Sequence, residues 1–184
     1  MLIKTIQSRL ILSHTHFEIT LMRLCHQLIE NHEDFRDSVI LGLQPRGILL
    51  AKRIHQYLSV ILPEVKIPYG DLDTTFFRDD FRRREPLLAA STNVDFIIEN
   101  KKVILIDDVL FTGRSVRAGL DALLVFGRPA KVELLVLVDR KYTRELPIAP
   151  DYVGIKIDSV DSERVKVNWK QLDGADEVML LTGE

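Results

Sequence analysis

The chain is nearly devoid of cysteine, and its single residue, Cys25, cannot build an internal disulfide framework. That scarcity fits a reducing compartment and excludes a small disulfide-stapled secreted scaffold; Cys25 itself falls on an apolar helix face. An excess of either charge is missing too. With 25 basic and 27 acidic residues the formal net charge is −2, so nothing draws the whole chain to nucleic acid, and RNA binding would need a local basic face. No apolar run reaches the length of a membrane span, and the short stretch Leu10, Ile11, Leu12 lacks the basic leader and small-residue cleavage site of a signal peptide. A cytoplasmic location without membrane contact is therefore expected. Internal repeats, low-complexity tracts and linkers are absent. At 184 residues, 46% of them hydrophobic, the chain suffices for one substantial core and a single domain spanning 1–184.

What is present alternates between two periodicities. Phe17, Leu21, Leu24, Cys25, Leu28 and Ile29 recur at helical spacing after Ser13, a good N-cap, and predict a helix over residues 13 to about 30. Residues 39–43 read as a strand, Gln44, Pro45, Arg46 and Gly47 as a turn, and 48–61 as a helix. Residues 66–77 look extended, and the charged run 78–86 is expected to form a loop or hairpin tip. The most apolar strand is 103–106, with Asp107 and Asp108 directly after it. A helix then runs from about 115 to 126, stopped by Gly127 and Pro129. Residues 131–138 form another apolar strand of the kind buried on both faces. Shorter strand-like pieces follow at 152–157, 165–167 and 177–181. Strands alternating with helices predict an α/β fold with a mostly parallel central sheet.

The chemistry concentrates in VILIDDVLFTGRSVRAGLDAL, residues 103–123. Two adjacent carboxylates stand at the carboxyl end of a buried strand, where open α/β sheets bind their ligands. Thr112, Gly113, Arg114 and Ser115 then open a helix, so backbone N–H groups, two hydroxyls and the helix dipole converge on a spot suited to a phosphate. The carboxylates suit the complementary role of accepting hydrogen bonds from sugar hydroxyls and holding a hydrated divalent cation. Taken singly, each feature is met by a strand end or a helix cap. Together they demand more, because two like charges at the end of an apolar strand are costly unless something compensates them. A nucleotide P-loop fails: Gly42 and Gly47 have the right separation, but Ile48 stands where lysine is required. No Ser-His-Asp arrangement is legible either.

This stretch resembles the signature with which type I phosphoribosyltransferases bind phosphoribosyl pyrophosphate (PRPP). The resemblance implies that fold: a mostly parallel central sheet flanked by helices, with a small hood and a flexible hairpin loop. It assigns Asp107 and Asp108 to the ribose hydroxyls and, through water, to Mg2+. The run Val109, Leu110, Phe111, Thr112, Gly113, Arg114 and Ser115 would bind the 5-phosphate. Gln44, Pro45, Arg46 and Gly47 match the pyrophosphate loop, with Arg46 as the basic side chain that meets the leaving group. TTFFRDDFRRR, residues 74–84, is similar to the mobile cover these enzymes close over PRPP, where Arg78, Arg82, Arg83 and Arg84 would neutralise phosphate charge. Gln44 and Phe77 depart from the lysine and tyrosine that are common at these places.

The likeness continues through GLQPRGILLAKRI (42–54), RAGLDALLVFGRPAKVELLVLVDR (117–140) and RELPIAPDYVG (144–154), which are similar to the bifunctional pyrimidine operon attenuation proteins that double as uracil phosphoribosyltransferases. It covers residues 10 to about 167. The implied reaction joins uracil to PRPP, giving UMP and pyrophosphate, with Phe111, Asp139 and Arg140 around the base. Purine enzymes place an aspartate where Phe111 stands, and an aromatic there trades a polar contact for stacking surface. Hypoxanthine or guanine remains the alternative substrate, as does a regulator with little enzymatic activity. Lys141, Tyr142 and Thr143 lengthen the following loop by one residue relative to the pattern. The resemblance further implies a homodimer or homotetramer, and a uridine-nucleotide-responsive grip on pyrimidine operon leader mRNA through Arg23 and His26. Ala149 replaces an arginine usual in RNA-binding relatives, and Asp151 lies close by, which would weaken that grip.

Overall fold

Side-chain alternation along two central strands divides the interior into two cores. In the first strand, Ile104 and Ile106 join a cluster with Phe17, Leu21, Leu50 and Ile54, while Val103 and Leu105 join another with Leu41, Val116 and Leu123. The second strand does the same, Leu135 and Leu137 facing one side and Leu134 and Val136 the other. A sheet apolar on both faces must be covered on both. The computed structural model, which describes residues 7–77 and 92–182, shows this arrangement.

In chain order the elements are β1 (Gln7–Leu12), α1 (His14–His32), β2 (Ser38–Leu43), α2 (Gly47–Ile61), β3 (Tyr69–Leu72), a short 3-10 turn (Thr75–Phe77), β4 (Lys102–Leu110), α3 (Arg114–Leu123), β5 (Lys131–Lys141), β6 (Tyr152–Asp158), β7 (Glu163–Asn168), α4 (Lys170–Asp173) and β8 (Glu177–Thr182). A five-stranded sheet has the order β3-β2-β4-β5-β6 with every pairing parallel. Strand β4 sits at its centre, with Ile40 opposite Ile104 and Leu105 opposite Leu134. A second sheet, β1-β8-β7, is antiparallel and forms the expected hood. Arg53 of α2 fastens it to the body, its guanidinium reaching Glu18 of α1 at 3.1 Å and Asp176 at 3.4 Å. Beneath it the fully buried Trp169 meets Phe17 edge to face, ring centroids 5.3 Å apart. Edge strand β6 runs so close under α1 that a Cβ on Gly154 would collide with the Leu137 carbonyl oxygen and press on the Thr20 methyl at 3.0 Å.

The expected helix over 13–30 is α1, whose Ser13 N-cap accepts from the His16 amide. Cys25 is buried on its inner face. Several boundaries differ from those the sequence pattern predicts. β4 continues four residues past Ile106, so the acidic pair lies inside the strand, and β5 extends through Asp139 and Arg140 to Lys141. Tertiary pairing outweighs the charge of these residues: Asp107 still pairs with Val136 and Leu110 with Asp139. α3 ends at Leu123, because Leu124, Val125 and Phe126 find nothing to bury against and stay exposed. β1 and α4 have no counterpart in the sequence pattern. The arginine run Arg78, Arg82, Arg83 and Arg84 lies outside the described residues. Among the described residues no helix is long and apolar enough to cross a membrane.

Candidate active site

The carboxyl ends of β2 and β4 lie side by side, and each runs into a tight turn that starts a helix. The turn after β2 is Gln44, Pro45 and Arg46, with a cis peptide between Gln44 and Pro45. α2 then begins at Gly47, pressed against β4: a Cβ there would lie 2.6 Å from the Ile106 carbonyl oxygen and 2.9 Å from Asp107 Cα. Only glycine lets the helix start so near the acidic strand end, which brings its positive pole to Asp107.

Asp107 and Asp108 are 9% and 8% exposed. The Asp107 carboxylate accepts from the Asp108 backbone N–H at 2.9 Å. Desolvation by burial raises the Asp108 pKa above the usual carboxylate range, and the Arg46 guanidinium, with Nε 3.8 Å from Asp108 Oδ2, only partly opposes it. Arg46 therefore faces Asp108. Sequence reasoning missed its other partners, the Val167 carbonyl at 3.1 Å and Asp173 at 3.5 Å, which connect the turn to the hood. The Trp169 amide donates to the Asp173 carboxylate, and this together with Lys166 and Arg46 holds its pKa below the usual range despite some desolvation.

The second turn carries Phe111, Thr112 and Gly113 into α3. Gly113 is the N-cap at φ +92°, a left-handed conformation that favours glycine, and it has no side chain to cap the helix; the Thr112 hydroxyl accepts from the Arg114 amide at 3.4 Å. The first-turn amides of α3 beyond Arg114 form an anion-seeking end just past the strand that carries the acidic pair. Val109 and Leu110 complete β4, and Leu110 is buried. Arg114 turns away to pair with Glu145 at 2.6 Å.

The base-region residues are grouped, though differently from their simplest reading. The Arg140 guanidinium covers the Phe111 ring at 3.9 Å from its centroid, donates to Ser159 Oγ at 2.8 Å and the Val160 carbonyl at 2.9 Å, and its pKa is lowered by burial. Asp139 is bound by Arg144, which also donates to the Phe111 carbonyl. A cavity of about 400 Å³ opens beside Arg140, lined by Tyr142, Thr143, Ser159, Val160 and three acidic residues. In this loop Tyr142 takes a left-handed backbone conformation, φ +66°. Arg23 and His26 lie far from this edge, exposed on α1, where Arg23 donates to the Val153 and Gly154 carbonyls of β6.

A parallel sheet whose acidic strand end lies between two helix-starting turns, beneath a separate hood, defines a type I phosphoribosyltransferase. The phosphoribosyl transferase domain family matches residues 8–171. The chain is 44% identical to "Bifunctional protein PyrR" of Actinobacillus succinogenes over 95% of its own length and 98% of that protein's. Against the PyrR of Desulfosudis oleivorans identity is 47%, with 88% and 90% covered, and against that of Halalkalibacterium halodurans 42%, with 94% and 97% covered. The chain accordingly belongs to the phosphoribosyltransferase family, in its PyrR group. Solved structures share the fold at low identity. A hypoxanthine phosphoribosyltransferase of Staphylococcus aureus superposes with a TM-score of 0.70 at 18% identity, covering 96% of this chain and 92% of that one. A hypoxanthine-guanine enzyme of Leishmania tarentolae, in complex with GMP, gives 0.70 at 14%, with 96% and 97% covered.

Proposed function

We propose that the chain transfers the phosphoribosyl group of PRPP to uracil, yielding UMP and pyrophosphate, and that it also regulates pyrimidine operons by binding leader mRNA under uridine-nucleotide control. The observation that carries the enzymatic reading is the convergence of Asp107 and Asp108, Arg46 and the N-terminal turn of α3 at the carboxyl end of the sheet. In this reading Asp107 and Asp108 accept hydrogen bonds from the two ribose hydroxyls, the amides and hydroxyls of Thr112 to Ser115 hold the 5-phosphate, and Arg46 neutralises departing pyrophosphate. Phe111, partly exposed beside Arg140, offers apolar surface to a pyrimidine ring. No residue forms a covalent bond to substrate. The protein positions the partners and excludes water while the base nitrogen attacks the anomeric carbon.

The donor set fits Mg2+: paired hard carboxylate oxygens, with one acid insufficiently compensated by protein groups alone. Asp107 and Asp108 would hold the ion through water. When bound, it supplies charge neutralisation to the pyrophosphate oxygens. A homodimer or homotetramer is the assembly the family resemblance supports, and exposed Ile19 and Met22 on α1 offer apolar surface for it.

Incubation with PRPP, Mg2+ and each of uracil, hypoxanthine, guanine and orotate tests the reaction. UMP from the uracil sample is expected, and product from hypoxanthine alone would overturn the base assignment. RNA binding draws support from exposed His26 one turn beyond Arg23, although Arg23 already commits N–H donors to β6. Retention of leader RNA with and without UMP across a salt series should show UMP-dependent, salt-sensitive binding. Absent binding would leave the enzymatic role alone.

A further inference from the structure

We infer that residues 144–146 act as a backing strap that orients the phosphate-binding turn, with Arg144 as its positioning residue. The inference rests on the reading of Thr112 to Ser115 as the 5-phosphate site. Two consecutive carbonyls of that turn point into the strap. Phe111 O accepts from the Arg144 guanidinium, and Thr112 O accepts from the Glu145 and Leu146 amides at 3.0 and 3.2 Å. In a planar trans peptide the N–H points opposite to the C=O. Holding these two carbonyls outward therefore aims the Thr112 and Gly113 amides the other way, toward the anion. A flipped peptide would instead present a partial negative charge to a phosphate.

Other contacts reinforce the same geometry. Glu145 receives the Arg114 side chain at 2.6 Å, drawing the first residue of α3 onto the strap. Gly113 packs beside it: a Cβ there would touch Leu146 at 3.5 Å and press on Ile148, just beyond the strap, at 3.2 Å. Arg144 is itself held in place, because its side chain is only 22% exposed and its other arm is bound by Asp139, which is 10% exposed. A guanidinium engages both acceptors with separate N–H groups, which an ammonium cannot do in the same geometry.

Ribose 5-phosphate and inorganic pyrophosphate separate the strap from general destabilisation, because only the former uses the turn that the strap backs. Calorimetric titration of both into the wild-type protein and Arg144→Ala, with Mg2+ present, is the test. Loss of a charged hydrogen bond predicts a dissociation constant for ribose 5-phosphate raised by about tenfold or more, with pyrophosphate affinity unchanged. Equal weakening of both ligands, or of neither, would overturn the inference. Should Arg144→Ala not fold, Arg144→Lys is expected to show the same split at smaller size, and its absence there is equally decisive. Failure of the wild-type protein to bind ribose 5-phosphate would instead remove the phosphate-site reading itself, and the strap with it.

Discussion

Glu133 and Asp108 are acids buried to a similar degree at opposite ends of one parallel sheet, and their pKa values move in opposite directions. Burial pushes the Glu133 carboxyl up, but hydrogen bonds from Lys131 and Tyr152 and the nearby His32 outweigh it and hold it below the usual range. Its Oε2 lies 2.9 Å from His32 Nε2 and 2.8 Å from the Tyr152 hydroxyl, and the other His32 nitrogen meets Ser38 at 2.8 Å. At the other end, desolvation prevails over a guanidinium 3.8 Å away, and Asp108 is raised. An acid satisfied from within belongs to the scaffold, whereas one left under-compensated beside the starts of two helices is, in the proposed function, arranged for what arrives from outside.

Substitution should separate the two roles. Asp108→Asn or Asp107→Asn is expected to slow turnover with PRPP and uracil by about tenfold to a hundredfold, the cost of a lost charged hydrogen bond. The melting temperature of Asp108→Asn should be unchanged or higher, since a desolvated charge is removed. Steady-state kinetics beside thermal unfolding checks this, and normal turnover in both variants would break the contrast. Glu133→Gln should do the reverse. Losing its charged contacts costs about 1–3 kcal/mol, and each kcal/mol lowers Tm by roughly 2–4 °C in a chain of this size, while kcat stays at the wild-type value.

The pH dependence sharpens the comparison by a smaller amount. Burial holds the His32 pKa below its usual 6.5, against the pull of Glu133. The unfolded chain then takes up a proton before the folded one does, so stability is lost as pH falls from about 6.5 through the lowered folded value. Asp108 runs oppositely: its folded pKa is raised, so its contribution is full below the usual 3.8 and is lost as pH rises through the folded value. Thermal unfolding between about pH 7 and pH 5 should show a loss of Tm that is smaller in His32→Gln. Cys25 supplies the least effect. Burial pushes its thiol, which donates to the Ile54 carbonyl, up to about 12, so an alkylating reagent should label it in denaturant and not in the folded protein.

The central sheet was legible because its strands are apolar on both faces and its helices strongly periodic: β2, β4, β5, α1 and α2 all fall on the predicted segments, although β4 and β5 run past their predicted ends. The hood was only partly so. β1 is exposed along most of its length and finds its partner, β8, at the far end of the chain, so no local pattern marks it. α4 is a four-residue turn without buried residues. At the site, the acidic pair and both turns were legible because strand, charge and turn chemistry coincide in sequence. What secures them was not. Asp173 and Val167 on Arg46, Ser159 and Val160 on Arg140, and Arg144 on Phe111 are contacts between distant segments, which spacing along the chain does not encode.

Diffraction from a crystal soaked with PRPP and Mg2+ interrogates the central claim most directly. The account predicts density for the ribose hydroxyls at Asp107 and Asp108 and for the 5-phosphate at the amides of Thr112 to Ser115. Density elsewhere, or the two aspartates turned into internal ion pairs with the sugar phosphate absent, would contradict it.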